Sequence, residues 1–491
     1  MQTSNVDTST GLPAEMSTRI RFGARGCRVA ARPTETMAQQ RRKSTQRERL
    51  LKGMVEVTNR AGYAGANVSA VIAEAGVSRP TFYDYFADRD DCFRACIEDA
   101  HRQLLDAVEK AVSARAPQEA AAATLEALVA YASAEPARAR FLMGESMAGG
   151  EGALDVRDHG IAQTVAALER AERAAPADAP VPDLDARVLV GSVYRMIATR
   201  LRRGEAAISK LTGELLGWIA SYERPAAQRR WRRLAPRTAP GRSRHVPDVP
   251  IQQMPGVLPP GRPRVPEEEI AENHRLRILY AAARMAEQKG YTATTVADIT
   301  KLASVDGRVF YRHFTDKQDA FAAVHELGFQ QVMDVTAKAF FAAEGWPLRS
   351  WEAGRALTQL LQENPLVAHV GFVEAYAVGP GAVQRIEDSH TAFMFFLQEG
   401  LMYGPQATPP SRVAMEAIIS AVFEIVYLQA RRRGDLRIAA MLPDITHLWL
   451  TPFLGNEQAD AFIDAQLRAS TPAQRPRTGR GRAARREGGR A

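Results

Sequence analysis

Apolar side chains recur at helical spacing along most of the chain, and one arrangement of them occurs twice. Val68, Val71 and Ala75 line one face of two helical turns; after a turn at Gly76, Phe82 and Phe86 lie one turn apart. Moved by 228 residues without a gap, the same positions read Val296, Ile299, Ala303, Ser304, Phe310 and Phe314. In both stretches, GVSRPTFYDYF and SVDGRVFYRHF, a side chain able to cap a helix (Ser78 or Asp306) stands before the aromatic segment. The pattern predicts two short helices joined by a tight turn, the second half of a helix-turn-helix. Pro80 suits the first turn of the second helix, where a missing N–H costs nothing.

The flanks repeat as well. A preceding helix is predicted from Ser44 to Ala61, with Leu50, Leu51, Met54, Val55 and Thr58 on one side and Gly62 as its stop. Gly290 and Tyr291 stand where the first copy has Gly62 and Tyr63. A fourth helix opens at Asp88 and runs through Phe93, Ile97 and His101, and Asp316, Asp319, Phe321 and Ala323 repeat Asp88, Asp91, Phe93 and Ala95. Further helices are expected over 119–134, 137–147 and 157–173, then around Val188–Leu201 and Leu211–Ile219, and in the second copy over 413–433 and 438–454. Arg203-Gly204-Glu205 is echoed by Arg433-Gly434-Asp435, so the two halves have nearly equal length. The fold class expected is all-α: two similar units in tandem, each a three-helix head followed by a helical body. The heads are placed at 44–91 and 267–319, the bodies at 92–223 and 320–470. An arm at 1–43, a linker at 224–266 and a tail at 471–491 complete the chain.

Composition changes this picture in two respects. The chain has 491 residues, 46% of them apolar, enough for two cores. Its charge is divided: the arm holds 8 basic residues against 3 acidic, the linker 10 against 1 and the tail 7 against 1, so the two folded blocks are net acidic. The arm, linker and tail are read as disordered, basic, Pro- and Gly-rich segments, suited either to weak attraction to polyanions or to plain spacing. No run of about 18 apolar residues predicts a membrane span, and the N-terminus shows no signal-peptide core, which points to the cytoplasm. Three cysteines make no disulfide framework; Cys92 and Cys96 are read as packing. The chain shows no G-x-S-x-G elbow, phosphate loop or H-E-x-x-H run, so neither an enzyme nor a cofactor or metal site is expected. His390, beside Glu387 and Asp388, is read as a solvated helix end.

The run G-V-S-x-x-T-F-Y-x-Y-F-x-D-R, from Gly76 to Arg89, closely resembles the DNA-binding domain of the tetracycline-repressor-like (TetR/AcrR) transcriptional regulators. V-A-D-I-T-K-L-A-S-V-D-G-R-V-F-Y-R-H-F-T-D-K, from Val296 to Lys317, is similar to it too. The resemblance implies double-stranded DNA as partner, with the short aromatic helix in the major groove. It implies base reading by Arg79, Pro80, Thr81 and Asp84 in one head and by Gly307, Arg308, Val309 and Arg312 in the other. Tyr83 and Tyr311 match the tyrosine that touches a phosphate, Arg89 and Lys317 the basic residue that does the same, and Ser78 and His313 complete the expected contact set. The second copy departs from the pattern at Ser304, in place of the turn glycine, and at Asp306, in place of the capping serine. An acid near phosphate is unfavourable.

In such regulators the body binds an effector and pairs. Aromatic residues are dense in the second body; Phe341, Trp346, Trp351, Phe372, Tyr376 and Phe396 are the expected lining of a pocket for a small hydrophobic effector, with ordinary core packing as the competing account. Residues 184–222 and 411–454 are expected to self-associate, within one chain or between two. The function expected is a ligand-responsive repressor at the bacterial nucleoid, holding an operator with two heads. The competing function is a ligand-binding or protein-interaction module whose heads no longer bind DNA.

Overall fold

A computed structural model of the chain describes residues 37–205, 207–231, 252–258, 265–403, 409–432 and 436–470. The arm up to residue 36, linker residues 232–251 and 259–264, the tail 471–491 and the Arg433-Gly434-Asp435 turn lie outside these residues. The first copy contains α1 (Met37–Gly65), α2 (Val68–Ala75), α3 (Arg79–Tyr83), α4 (Arg89–Ser113), α5 (Ala120–Ala134), α6 (Pro136–Met143), α7 (Glu151–Glu172), α8 (Ala186–Arg202) and α9 (Leu211–Ala220). The second contains α10 (Glu267–Lys289), α11 (Val296–Ala303), α12 (Gly307–His313), α13 (Lys317–Phe341), α14 (Trp346–Glu363), α15 (Pro365–His369), α16 (Ala375–Val378), α17 (Pro380–Gln398), α18 (Arg412–Ala430), α19 (Leu442–Leu454) and α20 (Asn456–Ser470). The fold is all-α, apart from two three-residue strands, β1 (Pro180–Pro182) and β2 (Glu223–Pro225), paired antiparallel.

The local chemistry read from the repeat explains where the head helices start and stop. Asn67 and Thr295 cap α2 and α11, Ser78 and Asp306 cap α3 and α12, and Asp88 and Asp316 cap α4 and α13, each by a side chain that accepts from the first turn. α1 begins earlier than Ser44, and Gly62, expected as its stop, is a break inside it, at φ 71; Gly290 ends α10 at φ 82. The turn after α2 is left-handed at Gly76 (φ 59, ψ 44), and the turn after α11 is the same at Ser304 (φ 49, ψ 49).

The two bodies pack on each other through α8 and α9 of the first copy and α18 of the second. α18 is long and apolar enough to cross a membrane, but most of it is buried against its neighbours. Adjacent residues of α19 add two ties to the first copy. Tyr222 donates to the Leu448 carbonyl at 2.8 Å, and His447 Nε2 lies 3.1 Å from the Asp183 carbonyl. Residues 224–231, expected to open the linker, make contacts with the second copy. Arg224 donates to Asp460 (2.9 Å) and Asn456 (2.7 Å), Arg230 donates to Asp464 (2.5 Å), and the backbone N–H groups of Arg230 and Trp231 both donate to Asp183. The arginines read as a sign of disorder thus find carboxylates that the second copy brings from over 230 positions away.

Ser304 carries a side chain where the backbone favours glycine, and a left-handed residue with a Cβ costs about 1 kcal/mol. Ser304→Gly is expected to stabilise the second head by about that amount, read as slower hydrogen exchange in α11 and α12. Gly76→Ser is expected to have the opposite effect in the first head. Unchanged exchange in both variants would contradict the turn assignment.

Candidate nucleic-acid interface

Each reading helix is presented by an aromatic anchor. Phe82 and Phe86 are buried with ring centroids 5.6 Å apart and planes at 51°; Phe310 and Phe314 repeat this at 5.8 Å and 49°. The next residue after each first anchor is turned outward: Tyr83 is 52% exposed and Tyr311 62%, free to reach a phosphate. Arg79, Pro80 and Asp84 are exposed in one head, and Gly307, Arg308 and Arg312 in the other. Thr81 and Val309 are half-buried. Thr81 shares a hydroxyl hydrogen bond of 2.8 Å with Ser78, so the cap and the reading residue are one unit. Asp306 accepts from the Arg308 N–H at 2.7 Å, which spends its charge on the helix start. His313 is half-buried, and burial first, then His274 and Arg312, lowers its pKa, leaving a neutral ring.

Arg89 and Lys317, expected to touch a phosphate, each engage a ring of their own head. Arg89 stacks over the Tyr63 ring at 4.3 Å and donates to the Tyr63 hydroxyl and to Asp90 at 2.8 Å each. Lys317 sits 4.4 Å over the Tyr291 ring and donates to the carbonyls of Tyr291, Thr292 and Thr294. A cation so engaged braces the head from within. Both braces line one open cleft of about 830 Å³, shared by the two copies and floored by Arg202, Arg203, Tyr376 and Glu387. A further pair was missed. Arg49 donates to the Ala75 carbonyl and Arg277 to the Ala303 carbonyl, each at 2.8 Å, holding the turn before the reading helix. Their 228-residue separation was the available signal.

In the second body, Phe372 and Phe396 line an apolar cavity of about 40 Å³ together with Phe340, Phe393, Phe423 and Trp449. The other four expected lining residues lie elsewhere. Phe341 faces the opposite way from its neighbour Phe340 and is 59% exposed. Trp346 packs on Phe453 and donates to the Phe396 carbonyl at 2.8 Å. Trp351 belongs to a small cluster with Leu442 and Ile463, and Tyr376 turns its hydroxyl to Arg195. A second cavity of similar size shares Phe372, Phe393 and Phe423 with the first and adds His325, which burial and then Arg385 push down to about 4. His390 is not solvated as expected; its ring meets Phe423 edge-on at 4.1 Å. Among the described residues no cluster of His, Cys, Asp and Glu could hold a metal ion.

Matching anchors, caps and braces define two helix-turn-helix heads in tandem. The sequence model of the family described as "Bacterial regulatory proteins, tetR family" matches residues 50–96 and again 278–324, intervals offset by the same 228 positions. The chain thus carries two tandem regions that match that family's model. It is similar to the HTH-type transcriptional regulator AcrR of Shigella flexneri, 32% identical over 81 residues, which are 16% of this chain and 38% of that protein. It thus spans little more than a third of the length of this curated relative. A crystal structure of a protein assigned to the TetR-family transcriptional regulators, from Syntrophomonas wolfei, is 16% identical, covers 40% of this chain and 95% of its own, and has a TM-score of 0.29.

Tyr83→Phe and Tyr311→Phe are each expected to weaken binding to every DNA sequence alike, by about 1 kcal/mol, because each removes one hydrogen bond to a phosphate. Titration against specific and random duplexes measures this. A changed sequence preference would contradict the phosphate role.

Proposed function

We propose that the chain is a DNA-binding transcriptional repressor of the bacterial cytoplasm and nucleoid that holds one operator with both of its heads. The observation that carries this reading is the outward presentation of Arg79, Tyr83 and Asp84, and of Arg308, Tyr311 and Arg312, on two matching scaffolds. Family members of one head need a partner to place two reading helices on successive major grooves. Here the packing of α8 and α9 against α18 supports a pair formed within one chain.

Release follows from the second body. Phe372, in the wall shared by both cavities, lies on a single π turn (Val370–Glu374). Glu374, at the end of that turn, accepts the Tyr291 N–H at 2.8 Å and so grips the second head at the stop of α10. A small hydrophobic molecule that opens the wall between the cavities displaces Phe372 and, through the same turn, Glu374. Binding that favours the displaced arrangement shifts the heads out of register with the grooves.

Selection of bound duplexes from a random pool tests the reading. An asymmetric site is expected. The half under Arg308 and Arg312 favours guanine, and the half under Arg79, Thr81 and Asp84 differs from it, with cytosine N4 as the natural donor to the Asp84 carboxylate. Affinity should fall steeply as salt rises. A perfect palindrome would contradict one chain reading with two unlike heads, and no enrichment at all would favour an interaction module that has lost DNA binding.

A further inference from the structure

The contact between the bodies contains a charge arrangement that discriminates between the copies. In α8 the run Val193-Tyr194-Arg195 corresponds to Val422-Phe423-Glu424 in α18, a shift of 229 that falls between the 228 of the heads and the 230 of the Arg-Gly turn. On this alignment Arg195 has Glu424 as its counterpart, and Arg187 has Glu416. The cations stand in the first copy and the acids in the second.

Arg195 and Glu424 meet across the seam, and the other charges of the two helices pair nearby. Glu424 is fully buried, 3.5 Å from Arg195 and 3.3 Å from Arg187, and Glu416 pairs with Arg200 of the same helix. Gly191 makes the room: a Cβ there would lie 2.3 Å from the Glu424 carboxylate. Neither Glu424 oxygen has a hydrogen bond, so its charge is offset by the surrounding guanidinium groups, with Arg187 and Arg195 at ion-pair distance and the buried Arg157 also interacting with it. Arg187 also donates to Asp158 at 2.8 Å, and Arg195 donates to the Tyr376 hydroxyl.

Resting on the intramolecular pairing proposed above, we infer that Arg195 and Glu424, with Gly191 between them, form a pairing code that admits only the opposite copy. In a seam of two first copies, Arg195 would face Arg195 with Arg187 close by. In a seam of two second copies, Glu424 would face Glu424, with Ser420 where Gly191 leaves space. Arg187 would keep Asp158 in the first alternative, but both alternatives bury like charges at position 195 or 424 and remove the ion pair that now joins the two, which is strongly unfavourable. The partner this surface fits is therefore the other half of the same chain or, when two chains meet, the other half of the second chain in a reciprocal exchange.

Charge reversal in the full chain tests the code. Glu424→Arg and Arg195→Glu, each alone, are expected to open the seam and lower affinity for the selected DNA at least tenfold. The double variant is expected to restore the one-chain particle. An equimolar mixture of the two single variants is expected to sediment as a 1:1 two-chain particle, since each now matches the other's seam. If the single variants stay compact and bind DNA as the wild type does, the code is overturned. If the mixture forms no two-chain particle while circular dichroism shows both variants helical, it is overturned as well. Should a single variant fail to fold, co-expression of the two decides: recovery of a mixed particle supports the code and its absence overturns it. A wild-type chain that sediments as a dimer joined through like copies would instead sink the underlying intramolecular reading.

Discussion

The packing of α8 against α18 is the contact on which the rest of the molecule depends. Each body is a bundle with one face too apolar to be left in water, and α18, buried along most of its length, has no other place to put that face. Hydrophobic burial gives such a seam its strength but little direction. Direction comes from a few polar atoms: Tyr222 on the Leu448 carbonyl, His447 on that of Asp183, and the buried carboxylate of Glu424 between two arginines. A shift of one turn would break both hydrogen bonds and part Glu424 from its arginines, and an uncompensated buried group costs more than a compensated one contributes.

The heads depend on a smaller version of the same logic. A five- or seven-residue helix has no stability of its own. α3 and α12 exist because a capping side chain and a pair of buried phenyl rings hold them against the helices before them. Because the anchors face inward, the intervening side chains face outward, and presentation of a reading surface is a by-product of packing. The braces at Arg89 and Lys317 act in the same direction. They fix the junction between α1 or α10 and the helix that leads into the body.

How much could be read from the sequence followed from how local the determining contacts are. The heads were legible because their caps, turns and anchors lie within about twenty residues of each other and occur twice without a gap. The contacts of Arg89 and Lys317 with an aromatic residue 26 positions upstream were not legible, because the motif fixes their position but not their partners within the head. In the second body the helices are apolar on more than one face, so spacing carries no phase, and Phe340 could not be told from Phe341. Arg224 and Arg230 looked like part of a spacer because their carboxylate partners, Asp460 and Asp464, are remote in sequence. The 228-residue repeat was informative beyond the motif itself, since it also pairs Arg49 with Arg277.

The central claim is that one chain supplies both halves of a DNA-reading pair. Native mass spectrometry of the full chain bound to its selected duplex tests this most directly, because it counts chains per DNA without assuming a shape. The account predicts a complex of one chain and one duplex, unchanged as protein is raised from limiting to several-fold excess. A complex containing two chains at every ratio, with no one-chain species, would contradict it.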